Sequence, residues 1–284
     1  MTRQLPALLP KGGRWYIHGM IPTGQVLPTL FISHGAPDIL LSEHVALGAL
    51  KGLAARLPRP GAIVVVSAHW VADPIGITAG GLLPTIHDFG GFPDSLYAMQ
   101  YPASGDRRLA DQLTRRLDEE GLGHQLHEGR GLDHGAWIPL KTMFPEADIP
   151  VVQVSLPTGS MEDLSRLGRA LGPLRHQGVL IIGSGGSTHN LRALNRLGRA
   201  DNWAIEFEQW LLESIECGRF DRLVTPELLP PLFHRAHPTL EHYAPLVVAW
   251  AAGDRDLPGE RLHHSFSYGN LGMSLFSFGE NGNA

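Results

Sequence analysis

The sequence contains little cysteine and no long apolar segment, and both shortages exclude whole classes of protein. Its one cysteine, Cys217, excludes an internal disulfide framework and a cysteine-rich zinc site. Apolar runs such as residues 62–66 are far shorter than the ~20 residues that span a bilayer. Residues 1–24 carry basic side chains but lack an apolar stretch with a small-residue cleavage site, so we expect no signal peptide. These absences predict a soluble cytoplasmic protein that does not act at a membrane.

The charge distribution excludes a typical nucleic-acid-binding protein. The formal net charge is −5 and no run of lysine and arginine forms a basic patch, so nucleic acid is not an expected partner. The apolar fraction of 43% and the charged fraction of 18% are those of a folded globular protein rather than a disordered one. A monomer and a small homo-oligomer are equally compatible with this composition.

Four short apolar runs rich in β-branched residues predict buried strands. They occupy residues 29–33, 62–67, 149–155 and 179–182, and each stops at polar, proline or glycine residues. A strand covered on both faces has such a continuous apolar run, as the strands of α/β sheets do. A further segment, residues 263–278, alternates apolar and polar residues and predicts an edge strand or a hairpin.

Helical patterns separate the predicted strands. Leucine recurs every four residues within 106–120, residues 161–171 precede the fourth strand, and residues 202–217 form an amphipathic pattern. Strands that alternate with helices predict one α/β domain with a parallel or mixed central sheet flanked by helices. The glycine-rich residues 183–187 follow a strand but lack the lysine and the spacing of a phosphate-binding loop, so no nucleotide is predicted.

Fifteen histidines are present, and three of them follow predicted strands. His34, His69 and His189 come after the strands where the loops of an α/β sheet form ligand sites. Taken singly, each is interpreted as a capping or core histidine that bonds to backbone. Three histidines in equivalent places favour a metal site, because neutral imidazole is a common ligand of zinc and iron.

Two further histidines lie in segments with two interpretations each. Pro238 suits the first turn of a helix, so Glu241 and His242 fall early on that helix, either at a metal or at the surface. His134 lies in an Asp-His-Gly turn ahead of another helix, which is either part of a site or ordinary turn chemistry. The glycine-rich residues 85–93 hold two phenylalanines that either cover a flat aromatic ligand or pack on the core.

Six segments together resemble the class III extradiol ring-cleavage dioxygenases, specifically the DOPA-dioxygenase-type branch. They occur in the order of that family, over roughly residues 29–250. The segments are SHGAP (33–37), VVSAHW (65–70), TIHDFGGFP (85–93), LDHGAW (132–137), GSGGSTHNL (183–191) and PTLEHYAPL (238–246). The resemblance implies a catalytic domain over residues 25–284, with its metal site at the carboxyl ends of the strands. It also implies an added N-terminal extension over residues 1–24.

The resemblance implies a role for each of five histidines. His34, His69 and His242 match metal-ligand positions. His189 matches a histidine that is either a fourth ligand in a resting zinc form or an acid/base during turnover. His134 matches a histidine of the pocket wall that orients the substrate. The metal implied is Fe(II) in the active enzyme, and Zn(II) is a second candidate in the protein as isolated.

The implied reaction is cleavage of a catechol ring by O₂ beside its two hydroxyls, and DOPA is one candidate substrate. His189 is the first choice for the acid/base and His134 the second. Many extradiol enzymes bind iron through two histidines and one carboxylate, so Glu241 is the rival of His242 as third ligand. Aromatic residues near the six segments suit a flat phenolic ring: Trp70, Phe89, Phe92, Trp137 and Tyr243.

Two other functions fit the same residues. A zinc hydrolase would use a metal-bound hydroxide, with His189 as proton shuttle. A non-enzymatic binding protein on the same fold is expected to have lost ligand positions, whereas His34, His69, His189 and His242 are all present. The catechol dioxygenase is therefore the favoured prediction, and the binding protein ranks third.

Overall fold

The computed structural model describes residues 26–195 and 199–279, so the predicted extension, residues 1–24, lies outside the described residues. The strands are β1 (Thr29–Ser33), β2 (Ala62–Val71), β3 (Ile75–Thr78), β4 (His124–His127), β5 (Val151–Leu156), β6 (Val179–Gly185), β7 (Glu260–His263), β8 (Phe266–Ser267), β9 (Leu271–Gly272) and β10 (Leu275–Phe278). The helices are α1 (Val45–Arg56), α2 (Asp94–Tyr97), α3 (Arg107–Glu119), α4 (His134–Met143), α5 (Met161–Leu171), α6 (Asn202–Glu216), α7 (Asp221–Val224), α8 (Phe233–Ala236) and α9 (Ala244–Gly253). Short 3₁₀ helices cover Pro37–Leu41, Gly172–Gln177, Leu191–Ala193 and Pro226–Leu228.

Eight of these strands form one mixed sheet in the order β4-β3-β5-β2-β6-β1-β10-β7. The central strands β5, β2, β6 and β1 run parallel to one another. β3 joins antiparallel to β5, and β10 lies antiparallel to both β1 and β7. The prediction of one α/β domain with a mixed sheet is confirmed. Within residues 263–278, predicted as an edge strand or hairpin, β8 and β9 form a short antiparallel pair, and β10 joins the large sheet between β1 and β7. The carboxyl ends of the central strands therefore meet at one edge of the sheet.

Helices cover both faces of the sheet, which accounts for the continuous apolar runs of the central strands. On β2, Val64 and Val66 belong to the core shared with α3, α5, α6 and α9, whereas Ile63 and Val65 belong to the core under α1 and α4. Burying one such side chain contributes roughly 1.5–3 kcal/mol, so the two cores together hold the strand ends in place. Among the described helices, none combines the length and the apolar character needed to cross a bilayer.

Helix α9 packs closely against β6 through glycines. A Cβ atom at Gly183 would overlap the carbonyl oxygen of Pro245, and one at Gly185 would overlap the carbonyl oxygen of His242. The Gly186 N–H donates to that His242 carbonyl at 3.0 Å. The glycine-rich stretch at the end of β6 therefore allows the segment that carries His242 to approach the edge of the sheet.

The position of His69 differs slightly from the prediction. β2 does not stop at residue 67 but continues to Val71, with an irregularity in its pairing after Val66. An irregularity of this kind bends a strand and redirects its side chains. His69 consequently lies within the distorted last part of the strand rather than beyond its end.

The prediction that a helix begins at Pro238 is wrong. Residues 238–243 form bends and turns, and α9 begins only at Ala244, with Pro245 in its first turn. A proline is well suited to that position because its missing N–H has no partner there in any helix. His242 therefore lies in a turn just before the helix.

Replacing Gly183 with Ala is expected to lower the free energy of unfolding by about 1–3 kcal/mol, because the new methyl group meets backbone of α9 that has no free space to move into. Urea-induced unfolding measures the loss. Gly61 is the matched control, since a Cβ atom there would lie 3.7 Å from the nearest backbone atom, the Gly178 carbonyl oxygen. Equal stability of the Gly183→Ala and Gly61→Ala proteins would contradict the close packing of α9 on β6.

Candidate metal centre

Five histidines from separate elements converge at the carboxyl edge of the central strands. His34 directly follows β1, His69 lies near the end of β2, and His189 lies in the loop after β6. His134 is the first residue of α4, and His242 lies two residues before α9. Every histidine singled out in the sequence as a site residue is part of this one cluster.

Three of the five form the tightest group. One imidazole nitrogen from each of His34, His69 and His134 lies within 4.8 Å of the other two. His34 Nε2 and His69 Nε2 are 3.0 Å apart. The ring centroids of His69 and His134 are 3.8 Å apart. The resemblance assigns His134 to the pocket wall. In the structure, the distance between the His134 and His69 rings is the shortest recorded in the cluster apart from that of one stacked pair.

That stacked pair consists of His189 and His242. Their ring centroids are 3.4 Å apart and their planes are 4° from parallel. The His242 ring also lies 4.9 Å from the ring of His69 and 5.5 Å from that of His34. Within the described residues, the buried His242 Nε2 has no hydrogen-bond partner. This nitrogen is therefore available to bind a ligand.

A serine hydroxyl determines the tautomer of His34. Ser184 Oγ lies 3.0 Å from His34 Nδ1 and itself donates its proton to the Gly135 carbonyl. Because a hydroxyl has only one proton, it must accept a hydrogen bond from His34 Nδ1–H. The lone pair of this imidazole is consequently on Nε2, which faces His69.

Asp88 supports two of the other imidazoles. Its Oδ1 lies 3.0 Å from His134 Nδ1 and accepts a hydrogen bond from the His134 backbone N–H at 2.9 Å, while its Oδ2 lies 3.7 Å from His69 Nδ1. Partial burial raises the pKa of Asp88, but the contacts with His134 and His69 outweigh it and lower the pKa to about 2. An ionised carboxylate thus lies on the Nδ1 side of both rings. Carboxylates in this position orient metal-binding histidines and increase their basicity.

Glu241 has the same relation to His242. His242 Nδ1 lies 3.3 Å from Glu241 Oε1, which also accepts a hydrogen bond from Thr239 Oγ1 at 2.7 Å. The contact with His242 is the largest cause that lowers the pKa of Glu241 to about 2. With its proton on Nδ1, His242 presents the lone pair of Nε2, the atom that is buried and without a partner.

Burial keeps the imidazoles of His34, His69, His189 and His242 neutral. It lowers the pKa of His69 to about 2 and that of His189 to about 3, and the charges of neighbouring histidines lower both further in the same direction. The pKa values of His34 and His242 are also lowered, again chiefly by burial. Neutral imidazole is the form that binds metal ions.

The donor set fits a divalent transition metal. Two neutral imidazole nitrogens 3.0 Å apart either share a proton or bind the same cation. Two nitrogens that are each bound to one metal ion at ~2.1 Å lie about 3.0–3.4 Å apart, which matches the observed separation. Imidazole ligands suit zinc and iron rather than calcium or magnesium, which prefer oxygen.

The loop that carries His189 is held by polar groups that sequence analysis did not identify. Thr188 Oγ1 donates to the Asn270 carbonyl and accepts from the Gly272 N–H, both at 2.6 Å. Behind the loop, the buried Glu208 accepts a hydrogen bond from Ser274 Oγ at 2.7 Å, and burial raises its pKa to about 7. The sequence does contain a signal for this buried carboxyl group. Glu208 occupies a position on α6 in line with the apolar residues Ala204, Leu211 and Ile215, on the face that packs into the core.

An aromatic wall lies beside His134. The Phe89 ring is 5.6 Å from the His134 ring, 5.5 Å from Phe92 and 6.4 Å from Trp137. Of these three residues, which were expected near a flat ligand, Phe89 contacts the cluster, and Phe92 and the fully buried Trp137 pack against Phe89. Tyr243 does not lie beside the cluster, because its fully buried side chain lies in the core and donates from its hydroxyl to the Leu223 carbonyl at 3.1 Å.

Comparison with known proteins identifies the family. The family described as "Catalytic LigB subunit of aromatic ring-opening dioxygenase" matches residues 36–279. The chain belongs to this family. It is an extradiol ring-cleaving dioxygenase, and members of the family are non-haem metal enzymes, which agrees with the histidine cluster.

Relatives and a solved structure extend the match over most of the chain. The "4,5-DOPA dioxygenase extradiol" of Portulaca grandiflora is 37% identical over 257 residues, which cover 88% of this chain and 95% of that protein. The "4,5-DOPA dioxygenase extradiol" of Escherichia coli (strain K12) is 35% identical over 271 residues, which cover 93% and 98%. The crystal structure of an uncharacterized protein from Escherichia coli K12 superposes with a TM-score of 0.74 at 32% identity, covering 89% of this chain and 100% of that chain.

Replacing Asp88 with Asn is expected to weaken metal binding by about 10- to 100-fold, because His69 and His134 lose the carboxylate on their Nδ1 side. Competition with a zinc-binding dye measures the affinity. The exposed Asp256, on a loop after α9, provides the matched control variant Asp256→Asn. Unchanged affinity in the Asp88→Asn protein would show that this carboxylate does not support the site.

Proposed function

We propose that the protein cleaves the ring of a DOPA-like catechol with O₂ at an Fe(II) centre. The observation that carries the proposal is the pair of imidazole nitrogens 3.0 Å apart within a cluster of neutral, buried histidines. The names of the relatives from Portulaca grandiflora and Escherichia coli supply the substrate class. Zn(II) is the metal we expect in protein purified without added iron, because nitrogen sites bind it more tightly than Fe(II).

His34, His69 and His242 are the proposed metal ligands. Each has its Nδ1 beside an oxygen of another side chain, Ser184, Asp88 and Glu241 in turn, which leaves Nε2 for the metal. When bound, Fe(II) supplies a Lewis acid for the diol and a redox centre for O₂. Three protein ligands leave coordination positions for both reactants.

Glu241 is assigned a supporting role rather than that of a ligand. Its Oε1 is already engaged by His242 Nδ1 and Thr239 Oγ1, at 3.3 and 2.7 Å. A carboxylate held in this way orients the imidazole next to it and increases the electron density on Nε2. Its side chain is 34% exposed, whereas that of His242 is 7% exposed. The buried nitrogen of His242 is therefore the better candidate donor.

His189 is the proposed acid/base. Burial lowers its pKa to about 3, so the imidazole is neutral at pH 7 and one ring nitrogen can accept the proton that the diol releases. The same nitrogen would hold that proton and return it later in the reaction. The stacked contact with His242 keeps this base against the proposed ligand set.

His134 is proposed to orient the substrate. The Asp88 carboxylate, 3.0 Å from His134 Nδ1, fixes the direction of the ring. Phe89 packs edge-on against the same imidazole, with ring planes at 88°, and covers it from solvent. A substrate hydroxyl held at the opposite nitrogen would have one fixed direction of approach, as positioning for catalysis requires.

Iron-loaded protein is expected to consume O₂ in the presence of L-DOPA or 4-methylcatechol and to form a yellow ring-opened semialdehyde. An oxygen electrode and visible absorption measure both. The His69→Ala protein is expected to lose bound metal and activity together, whereas His176→Ala, a change at an exposed histidine, retains both. Hydrolytic activity of the zinc-loaded protein, with catechols left intact by the iron-loaded protein, would instead support a zinc hydrolase.

Metal analysis combined with kinetics distinguishes the proposed roles of His242, Glu241 and His189. The His242→Ala protein is expected to lose stoichiometric metal, and the Glu241→Gln protein to keep it. The His189→Ala protein is expected to keep metal and catechol binding but to turn over about 10²- to 10⁴-fold more slowly. Greater metal loss in Glu241→Gln than in His242→Ala would make Glu241 the ligand. An unchanged rate in His189→Ala would remove this histidine from the proton transfers.

A further inference from the structure

Arg130 contacts the sequence neighbours of two site histidines and has no role in the chemistry described above. Arg130 belongs to the segment between β4 and α4, and its Cζ lies 4.0 Å from the centre of the Trp70 ring. Its Nη2 lies 3.6 Å from Asp133 Oδ2. Trp70 directly follows His69 and Asp133 directly precedes His134, and the rings of these two histidines are 3.8 Å apart. The guanidinium therefore contacts the two side chains that adjoin His69 and His134 in sequence.

The hydrogen-bonding capacity of Arg130 is unused by the described part of the protein. Its Nε is buried and has no partner there. Its contact with Asp133 is longer than a hydrogen bond. A guanidinium has five N–H donors arranged for bidentate binding of a carboxylate, so a buried donor without a partner is costly unless a ligand supplies the acceptor.

Asp133 does not depend on Arg130 for its own partners. Its Oδ1 accepts hydrogen bonds from Ser67 Oγ at 2.6 Å and from the Ala136 N–H at 3.1 Å. Its Oδ2 accepts from Gln153 Nε2. Through these bonds Asp133 caps the amino end of α4, the helix that begins with His134. The helix cap is complete without the guanidinium, which leaves the arginine available to a second anion.

The surroundings of Arg130 fit the charged end of a substrate rather than its ring. The Trp70 ring holds the guanidinium flat against the protein, as an aromatic face does for an arginine. The Arg130 side chain is 26% exposed, so it is reachable from the solvent side of the site. Asp88, the other nearby carboxylate, is occupied by His134 and His69. Arg130 is therefore a partly exposed cation whose recorded ion pair, with Asp133, is longer than a hydrogen bond.

We propose that Arg130 binds a carboxylate on the side chain of the catechol, so that the protein selects catechols with a short acidic side chain over neutral ones. This inference rests on the proposed catechol cleavage. It makes Arg130 a specificity residue that contacts the substrate but takes no part in breaking the ring. It also distinguishes the two ends of the substrate, with the diol at the histidines and the carboxylate at the guanidinium.

The test compares two ligands that differ only in the carboxylate, 3-(3,4-dihydroxyphenyl)propanoate and 4-propylcatechol. Calorimetric binding to zinc-loaded protein avoids turnover, and kcat/KM of iron-loaded protein is measured in parallel. In the Arg130→Met protein, binding and kcat/KM for the propanoate are expected to fall by about 10- to 100-fold, the range of a charged hydrogen bond, and those for 4-propylcatechol to stay within about twofold. Arg130→Lys is expected to recover part of the loss, because it keeps the charge but not the bidentate geometry.

Arg222→Met is the matched control, since Arg222 also lies over a tryptophan, Trp210 at 5.6 Å, in a different part of the protein. Unchanged 4-propylcatechol binding shows that the Arg130→Met protein is folded and that its metal site is intact. An equal loss for both ligands would overturn the inference and make Arg130 a structural residue. No loss for either ligand would overturn it as well. Wild-type protein that cleaves neither catechol would contradict the proposed function itself.

Discussion

Two imidazole nitrogens, His34 Nε2 and His69 Nε2, lie 3.0 Å apart in a buried cluster where positive charge on the rings is disfavoured. Ser184 requires the proton of His34 to be on Nδ1, and Asp88 lies on the Nδ1 side of His69. The lone pair of His34 therefore faces His69, and a metal ion bound by both Nε2 atoms would hold the two rings at this spacing.

The sheet provides the rigidity that this spacing needs. β2, β6 and β1 are neighbours and run parallel, so the segments carrying His69, His189 and His34 leave the sheet at the same edge. The fourth imidazole, that of His242, comes from outside the sheet and reaches the edge because Gly183 and Gly185 allow α9 to pack against β6. A side chain at either glycine would overlap the backbone of the segment that carries His242 and push it away from β6.

Oxygen atoms from three different segments complete the centre. Ser184 is on β6, Asp88 is in the loop that also carries Phe89, and Glu241 is in the turn before α9. Asp88 therefore links the aromatic wall to the imidazoles of His69 and His134 in one contact set. The same loop thus supplies both the aromatic wall and the carboxylate behind two of the histidines.

Sequence alone predicted the four central strands, the helices α3, α5 and α6, and the position of His34, His69 and His189 at or near strand ends, because apolar runs and chain position are local properties. Only the tertiary structure decided that His134 lies against His69 and that Asp88 lies behind both rings. These contacts depend on how α4 packs over β2, across 65 positions of the chain for His69 and His134. The same holds for Glu241 and His242, which are adjacent in sequence. Both residues lie in the turn before α9, not on the helix. This turn places His242 in the cluster and Glu241 at its edge.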